Sequence, residues 1–157
     1  SQSKSIERYL ARKYDLMGEN DEQAALIDSY CEYIRDFKTA YQTVRKAENK
    51  EEAMAKWFGE TLPEKLSSFD KILCENTDFQ NISSKITSVL KTERFSVGVK
   101  LSLADIVIYS FLVDFFDNKE GVKKSFEKCK MLNNIVNTVG ENQKIKKWVE
   151  NRAETAF

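Results

Sequence analysis

The feature that most constrains the fold is a short polar start followed by a long apolar run: Leu101-Ser102-Leu103-Ala104-Asp105 and then Ile106 to Phe116. Ser102 and Asp105 have the spacing of a capping box. In such a box the serine hydroxyl accepts from the amide three residues on, and the carboxylate reaches back to the serine amide. The following residues are apolar almost all round, which is typical of a helix buried in the middle of a domain. The sequence therefore predicts a central buried helix over about 103–117, around which the other segments pack.

The other segments also have the periodicity of helices. Five glycines and one proline in 157 residues, with few runs of alternating polarity, predict an all-α protein. We expect an amphipathic helix over 2–14 and a long helix over about 21–47, which begins at a second capping box formed by Asn20 and Gln23. The apolar stripe of the long helix indicates a core element rather than a cofactor site.

Shorter helices are expected further along the chain. The apolar residues of 51–59 favour a separate turn of helix, and Thr61 is the expected cap of a core helix with Pro63 in its first turn. Small helices are expected up to Gly140 and again up to Arg152. Two stretches are expected to be less regular: a polar connection over 76–95 that contains a short helix, and a charged surface excursion over 118–130.

Charge and composition exclude several classes of protein. The 25 basic and 25 acidic residues give no net charge, so no global field attracts nucleic acid or an anionic membrane. Histidine is absent, which removes histidine triads, histidine general bases and histidine metal sites. The three cysteines, Cys31, Cys74 and Cys129, are far apart and lack a CxxC, which favours reduced thiols in a cytoplasmic chain. No apolar run approaches the roughly 20 residues of a membrane span. Lysine clusters such as Lys144-Lys146-Lys147 are expected to form a solvated helix face rather than a binding patch.

Four stretches, in order along the chain, resemble one family, the glutathione transferases, and in particular its sigma-like group, which includes nematode enzymes. Gln2 to Ala11 is similar to the family's Gln/Glu-Ser-x-Ala-Ile-x-Arg-Tyr-Leu-Ala signature. Gln23 to Asp28 and Arg35-Asp36-Phe37 resemble the first long helix of its helical domain. Gly98 to Asp105 is similar to the Gly-Asp-x-Leu-Ser/Thr-x-Ala-Asp folding motif, and Lys146 to Thr155 to the closing Lys-Lys-Trp-Ile-x-x-Arg-Pro-x-Thr. Val99 and Ala153 depart from these motifs.

The resemblance implies the organisation of the chain. Residues 19–157 are expected to form the all-α bundle of a glutathione transferase C-terminal domain, and residues 1–18 the last helix and linker of a mostly absent thioredoxin-like domain. In the family that domain carries the tyrosine or serine that activates the glutathione thiol, so no catalytic residue is expected in this chain. Ser1-Gln2-Ser3 starts inside a motif without an initiator methionine or a helix cap before it. We therefore expect part of a longer enzyme rather than a natural helical-domain protein.

The resemblance also implies where glutathione binds. The pair matching Gln2 and Ser3 binds the γ-glutamyl carboxylate at a helix N-terminus, where open amides and the helix dipole favour an anion; the simpler alternative is that Ser3 only starts the helix. The aspartate matching Asp36 reaches across a dimer to the γ-glutamyl ammonium bound by the neighbouring subunit. From the residues alone, an exposed carboxylate next to Arg35 is the simpler interpretation.

One and two turns beyond Asp36, the positions Thr39, Gln42 and Thr43 are expected to face the acceptor pocket of the family, with Phe157 closing it. The implied function is conjugation of the glutathione thiol to small electrophiles, or related isomerase or peroxidase chemistry. The expected setting is a cytoplasmic homodimer that uses glutathione as cosubstrate and takes no metal, nucleic acid or membrane as partner. The alternative is a non-catalytic interaction or structural module with the same helical fold, and retention on immobilised glutathione would separate the two.

Overall fold

The computed structural model describes the backbone of residues 2–83 and 95–153, and the side chains of residues 2–76 and 95–153. Within these ranges the chain forms eight α-helices, one π-helical turn and no strand, so the predicted all-α class is confirmed. No described helix is both long and apolar enough to cross a membrane. The elements are α1 (Ser3–Lys13), α2 (Asp21–Arg45), α3 (Lys50–Lys56), the π turn (Trp57–Thr61), α4 (Leu62–Ser83), α5 (Leu103–Val113), α6 (Lys119–Phe126), α7 (Lys130–Glu141) and α8 (Gln143–Asn151).

Helix α5 is the central buried helix that the sequence predicts. It packs against α2 and α7, and Ile108 and Phe111 are completely buried. The capping box is present: the Ser102 hydroxyl accepts from the Asp105 amide at 3.4 Å, and the Asp105 carboxylate accepts from the Ser102 amide at 2.8 Å. The carboxylate also accepts from the Ser96 amide at 2.6 Å. Burial raises the pKa of Asp105, and the hydrogen bonds from the two serines oppose that shift. The box therefore fixes both the start of α5 and the loop before it.

The end of α5 differs from the expectation, because the helix stops at Val113 and the predicted continuation to 117 is wrong. The Lys119 ammonium donates to the carbonyls of Val113 at 2.6 Å and Asp114 at 3.0 Å, which provides partners for carbonyls that the helix leaves open. Beyond this point the chain turns Phe116 into the core, where its ring lies 4.8 Å from that of Tyr41.

Helices α3 and α4 join through the π turn, so the predicted break capped by Thr61 is wrong. The Leu62 amide donates to the carbonyl of Trp57, five residues earlier, and Thr61 lies inside this wide turn. A π turn rotates the helix that follows it relative to an α-helical continuation. With this rotation Trp57 and Leu62 are both buried. Helix α4 continues to Ser83, and the rest of the expected short helix within 76–95 lies outside the described residues.

The predicted surface excursion over 118–130 is also wrong, because it contains helix α6 with Val122 and Phe126 buried. The Asn118 side chain caps α6 by accepting from the Gly121 amide at 2.9 Å. A Cβ at Gly121 would lie 2.6 Å from Nδ2 of the Asn118 side chain, so glycine leaves space for the cap. Two apolar side chains among charged ones give too weak a pattern for the sequence to predict this helix.

The first two helices begin and end close to their predicted limits. Asn20 caps α2 by accepting from the Gln23 amide at 2.8 Å, as predicted. The Gln23 side chain, however, accepts from the Glu19 amide at 2.9 Å, so the second capping box is only half formed. Gly18 packs directly against Gln23 with φ +81°, a conformation that side chains other than glycine rarely adopt. The linker after α1 also bonds to the start of α5, where the Leu103 amide donates to the Leu16 carbonyl at 2.8 Å.

We expect Asp105→Ala to reduce the free energy of unfolding by about 2 to 4 kcal/mol, because it removes a helix cap and leaves the buried amides of Ser96 and Ser102 without an acceptor. The exposed cap variant Asn20→Ala is the matched control and should cost about 1 kcal/mol. Urea unfolding of both variants checks the difference. Equal losses would show that burial adds nothing to the role of Asp105.

Candidate functional site

Helix α1 begins without a side-chain cap. The Gln2 carbonyl accepts from the amides of Ser5 at 3.0 Å and Ile6 at 3.2 Å, and no side chain of the described residues bonds to the open amides of the first turn. That turn also contains no acidic residue, and the side chains of Gln2 and Ser3 are exposed. Open amides at the positive end of the helix dipole favour a bound anion. The start of α1 therefore has the chemistry that the resemblance requires for a carboxylate.

Two ion pairs hold α1 against α2. Arg8 donates to Asp28 at 2.6 Å and to Glu32 at 2.5 Å, and the hydrogen bond to Asp28 is the main reason that the pKa of Arg8 is raised. Arg35 lies 2.8 Å from the second oxygen of Glu32. Asp28 and Glu32 are thus both paired with arginines, and the Arg8 guanidinium joins α1 to two successive turns of α2.

Asp36 lies one turn beyond Glu32 on the same face of α2, since Asp28, Glu32 and Asp36 are spaced four residues apart. Unlike the other two, Asp36 is exposed and makes no ion pair or hydrogen bond with any described residue. Asp36 does not pair with the neighbouring Arg35, because Arg35 binds Glu32. The carboxylate of Asp36 is therefore available to a cation from outside the described part of the chain.

The three expected acceptor residues on α2, Thr39, Gln42 and Thr43, are all exposed. Thr39 and Thr43 donate to carbonyls one turn earlier, at 3.0 Å and 3.4 Å. Thr43 also borders a groove of about 460 Å³ between α2 and the α3–α4 segment, with Val44 and Trp57 among its walls. The fourth expected residue, Phe157, lies outside the described residues.

A lysine that the sequence analysis did not single out lies near this site. Lys38 is half-buried, and its ammonium is 5.1 Å from the centre of the Phe115 ring. Burial lowers the pKa of Lys38, Lys4 lowers it further, and Glu7 and Cys31 oppose the change. Lys38 therefore lies where α1, α2 and the segment after α5 come together. In the sequence, only the position of Lys38, two residues after Asp36 and next to the apolar stripe of α2, could have indicated that this lysine lies near the site.

The thiols of Cys31 and Cys129 are poorly suited to nucleophilic chemistry. Burial and the nearby Asp28 are the main reasons that the pKa of Cys31 is raised to about 12. Burial also raises the pKa of Cys129 to about 11. Both thiols remain protonated near neutral pH, and the thiolate is the reactive form. Among the described residues no group of three or more suitable side chains could hold a metal ion.

Several known proteins resemble this chain in sequence and in fold. A family model described as glutathione S-transferase, C-terminal domain, matches residues 35–152. A glutathione S-transferase of Dirofilaria immitis is 29% identical over 152 residues, which are 96% of this chain and 64% of the relative. Glutathione S-transferase 4 of Caenorhabditis elegans is 30% identical over 155 residues, which are 98% of this chain and 69% of the relative.

The fold is also that of a solved relative. The structure of the Pi-class glutathione S-transferase of Onchocerca volvulus superposes with a TM-score of 0.74 at 27% identity, over 96% of this chain and 64% of that one. The all-helical fold of this chain is that of a glutathione S-transferase C-terminal domain. The chain belongs to the glutathione S-transferase family. It spans 64% of the length of the Dirofilaria relative.

Proposed function

We propose that this chain is the helical part of a glutathione transferase that joins the glutathione thiol to small electrophiles, or uses the same thiolate for isomerase or peroxidase chemistry. Asp36 is the observation that carries the proposal. It is the third acid in a row on α2, and the two before it are neutralised by arginines while Asp36 is not. In the proposed homodimer, Asp36 binds the γ-glutamyl ammonium of glutathione held by the neighbouring subunit.

The start of α1 supplies the other half of the glutathione contact. The open amides beside Gln2 and Ser3 receive the γ-glutamyl carboxylate, so the amino-acid end of the peptide is held at both charges. A hydrogen bond between charged groups contributes about 1.5 to 3 kcal/mol, which is enough to dominate the binding of a small peptide. The proposal therefore assigns glutathione binding to Gln2, Ser3 and Asp36.

The exposed face of α1 supports the proposed domain organisation. Ile6, Tyr9, Leu10 and Tyr14 are 51%, 64%, 41% and 64% exposed, although they are large apolar or aromatic side chains on one short helix. Such a face is typical of a surface that another domain covers. We propose that residues 1–18 are the last helix and linker of a thioredoxin-like domain, that residues 19–157 form the helical domain, and that α1 carries the contact between the two.

The chemistry then divides between the two domains. The thioredoxin-like domain activates the glutathione thiol, whose sulfur forms a bond to the electrophile as the leaving group departs or as the acceptor takes up a proton. This chain positions both partners, which lowers the entropic part of the barrier. On the acceptor side, Thr39, Gln42, Thr43 and Phe157 are the proposed lining, and the neighbouring Lys38, beside Phe115, adds a cation close to it. Acceptors that carry an anionic group fit this lining better than cationic ones.

We expect no transferase turnover from the 157-residue chain alone with a chlorinated nitrobenzene as electrophile. Among the described residues, the groups to which we assign a role bind glutathione or line the acceptor pocket. The thiols of Cys31 and Cys129 are protonated. The same chain with a thioredoxin-like domain before Ser1 should show enzymatic turnover, measured by absorbance of the conjugate. Turnover by the chain alone would contradict the division of labour. An inactive two-domain protein that is still retained on immobilised glutathione would favour the non-catalytic module.

We expect Asp36→Asn in the two-domain dimer to weaken glutathione binding roughly ten- to a hundredfold, because the ammonium of glutathione then bonds to a neutral amide instead of a carboxylate. Glu22→Gln, an exposed acid in the first turn of α2, is the matched control and should leave the Kd unchanged. Calorimetric titration at equal folded fraction measures both. Equal dissociation constants for Asp36→Asn and wild type would show that Asp36 is an exposed side chain of α2 with no part in binding glutathione.

A further inference from the structure

A second cleft lies on a different part of the molecule, where α4 meets α6 and the start of α7. It encloses about 510 Å³, which is in the range of small-molecule sites. Four lysines border it: Lys71 from α4, Lys124 from α6, Lys128 from the turn between α6 and α7, and Lys130 from the first position of α7. None of the residues proposed to bind glutathione or an electrophile lies on α4, α6 or α7.

The residues that line this cleft carry more positive than negative charge, although Glu120 and Glu127 lie beside Lys124 on the neighbouring surface. The four lysines are exposed, and none of them makes an ion pair or hydrogen bond with a described residue. Asp70 is the only carboxylate among the described residues that border the cleft, and its Oδ1 accepts from the Leu132 amide at 2.9 Å. Asp70 therefore caps α7 and offsets only part of the positive charge.

Convergence of lysines from four segments differs from a lysine-rich helix face. On a single helix the side chains spread apart into water, whereas here lysines of α4, α6, α7 and the turn between α6 and α7 line one concave surface. Like charges around a concave surface repel one another and concentrate counter-ions there. An anion with several charges relieves this repulsion at several lysines at once, and an ammonium group is a common partner of phosphate. The chemistry of the cleft therefore favours a small anion with more than one phosphate.

We propose that this cleft binds a small polyphosphate-bearing anion through Lys71, Lys124, Lys128 and Lys130. The proposal is independent of the glutathione site, because it rests on other helices and other charges. It predicts that affinity rises with the number of phosphates and falls with salt, since exposed charges are screened over about 10 Å at 0.1 M ionic strength.

The test is calorimetric titration of inorganic tripolyphosphate into the full 157-residue chain, in metal-free buffer at low salt. The variant Lys124→Gln/Lys128→Gln removes two cleft charges. The matched control, Lys144→Gln/Lys147→Gln, removes two exposed charges from α8 and changes the net charge equally. A second cleft variant, Lys71→Gln/Lys130→Gln, removes charges from α4 and α7, so the result does not depend on one pair. Thermal melts confirm that each variant is folded.

Both cleft variants should bind tripolyphosphate about five- to thirtyfold more weakly than wild type, and the α8 control less than about twofold more weakly. Orthophosphate should bind wild type more weakly than tripolyphosphate does. A flat titration of wild type at low salt would overturn the proposal. Equal losses in the cleft variants and the α8 control would also overturn it, because they would show attraction by overall charge instead of a site.

Discussion

The carboxylate of Asp105 is a charge in a fully buried position, and three donors surround it. The amide and hydroxyl of Ser102 donate at 2.8 and 2.7 Å, and the amide of Ser96 donates at 2.6 Å. A buried carboxylate is costly without such partners, because its hydration is lost. Here the hydration is replaced by two backbone amides that would otherwise be unpaired. One side chain thus determines where α5 begins and how the preceding loop lies on it.

The rest of the site depends on this start. The Leu103 amide, the first of α5, donates to the Leu16 carbonyl in the linker after α1. The same linker holds Gly18, which packs on Gln23 in the first turn of α2. The buried cap, the linker and the base of α2 are therefore connected, and Arg8 adds ion pairs from α1 to α2 further along. This arrangement places the open start of α1 and the unpaired Asp36 on two helices whose relative position is fixed.

Much of the fold could be predicted from the sequence because the signals were local. Ser102 and Asp105 are three residues apart, and the apolar stripe of α2 repeats over about five turns. The π turn at Trp57 to Thr61 could not be predicted, since one extra residue in a helical turn leaves the flanking stripes intact. Helix α6 was missed because Val122 and Phe126 alone give no clear period.

The site could be predicted less well, because it depends on contacts between segments that are distant in the sequence. Such contacts pair Arg8 with Asp28 and Glu32, and they bring the lysines to one cleft. The roles of Gln2, Ser3 and Asp36 came from the family resemblance, and the structure adds that Asp36 has no partner among the described residues.

The central claim is that the buried Asp105 carboxylate holds the loop and α5 together as one cooperative unit. Native-state hydrogen exchange tests it most directly. We predict that the amides of Ser96 and Ser102 exchange only through global unfolding, with the same free energy as the amides of Ile108 and Phe111 in α5. If the two serine amides instead exchange by local opening, at a free energy well below that of α5, the carboxylate does not organise the fold and the account is wrong.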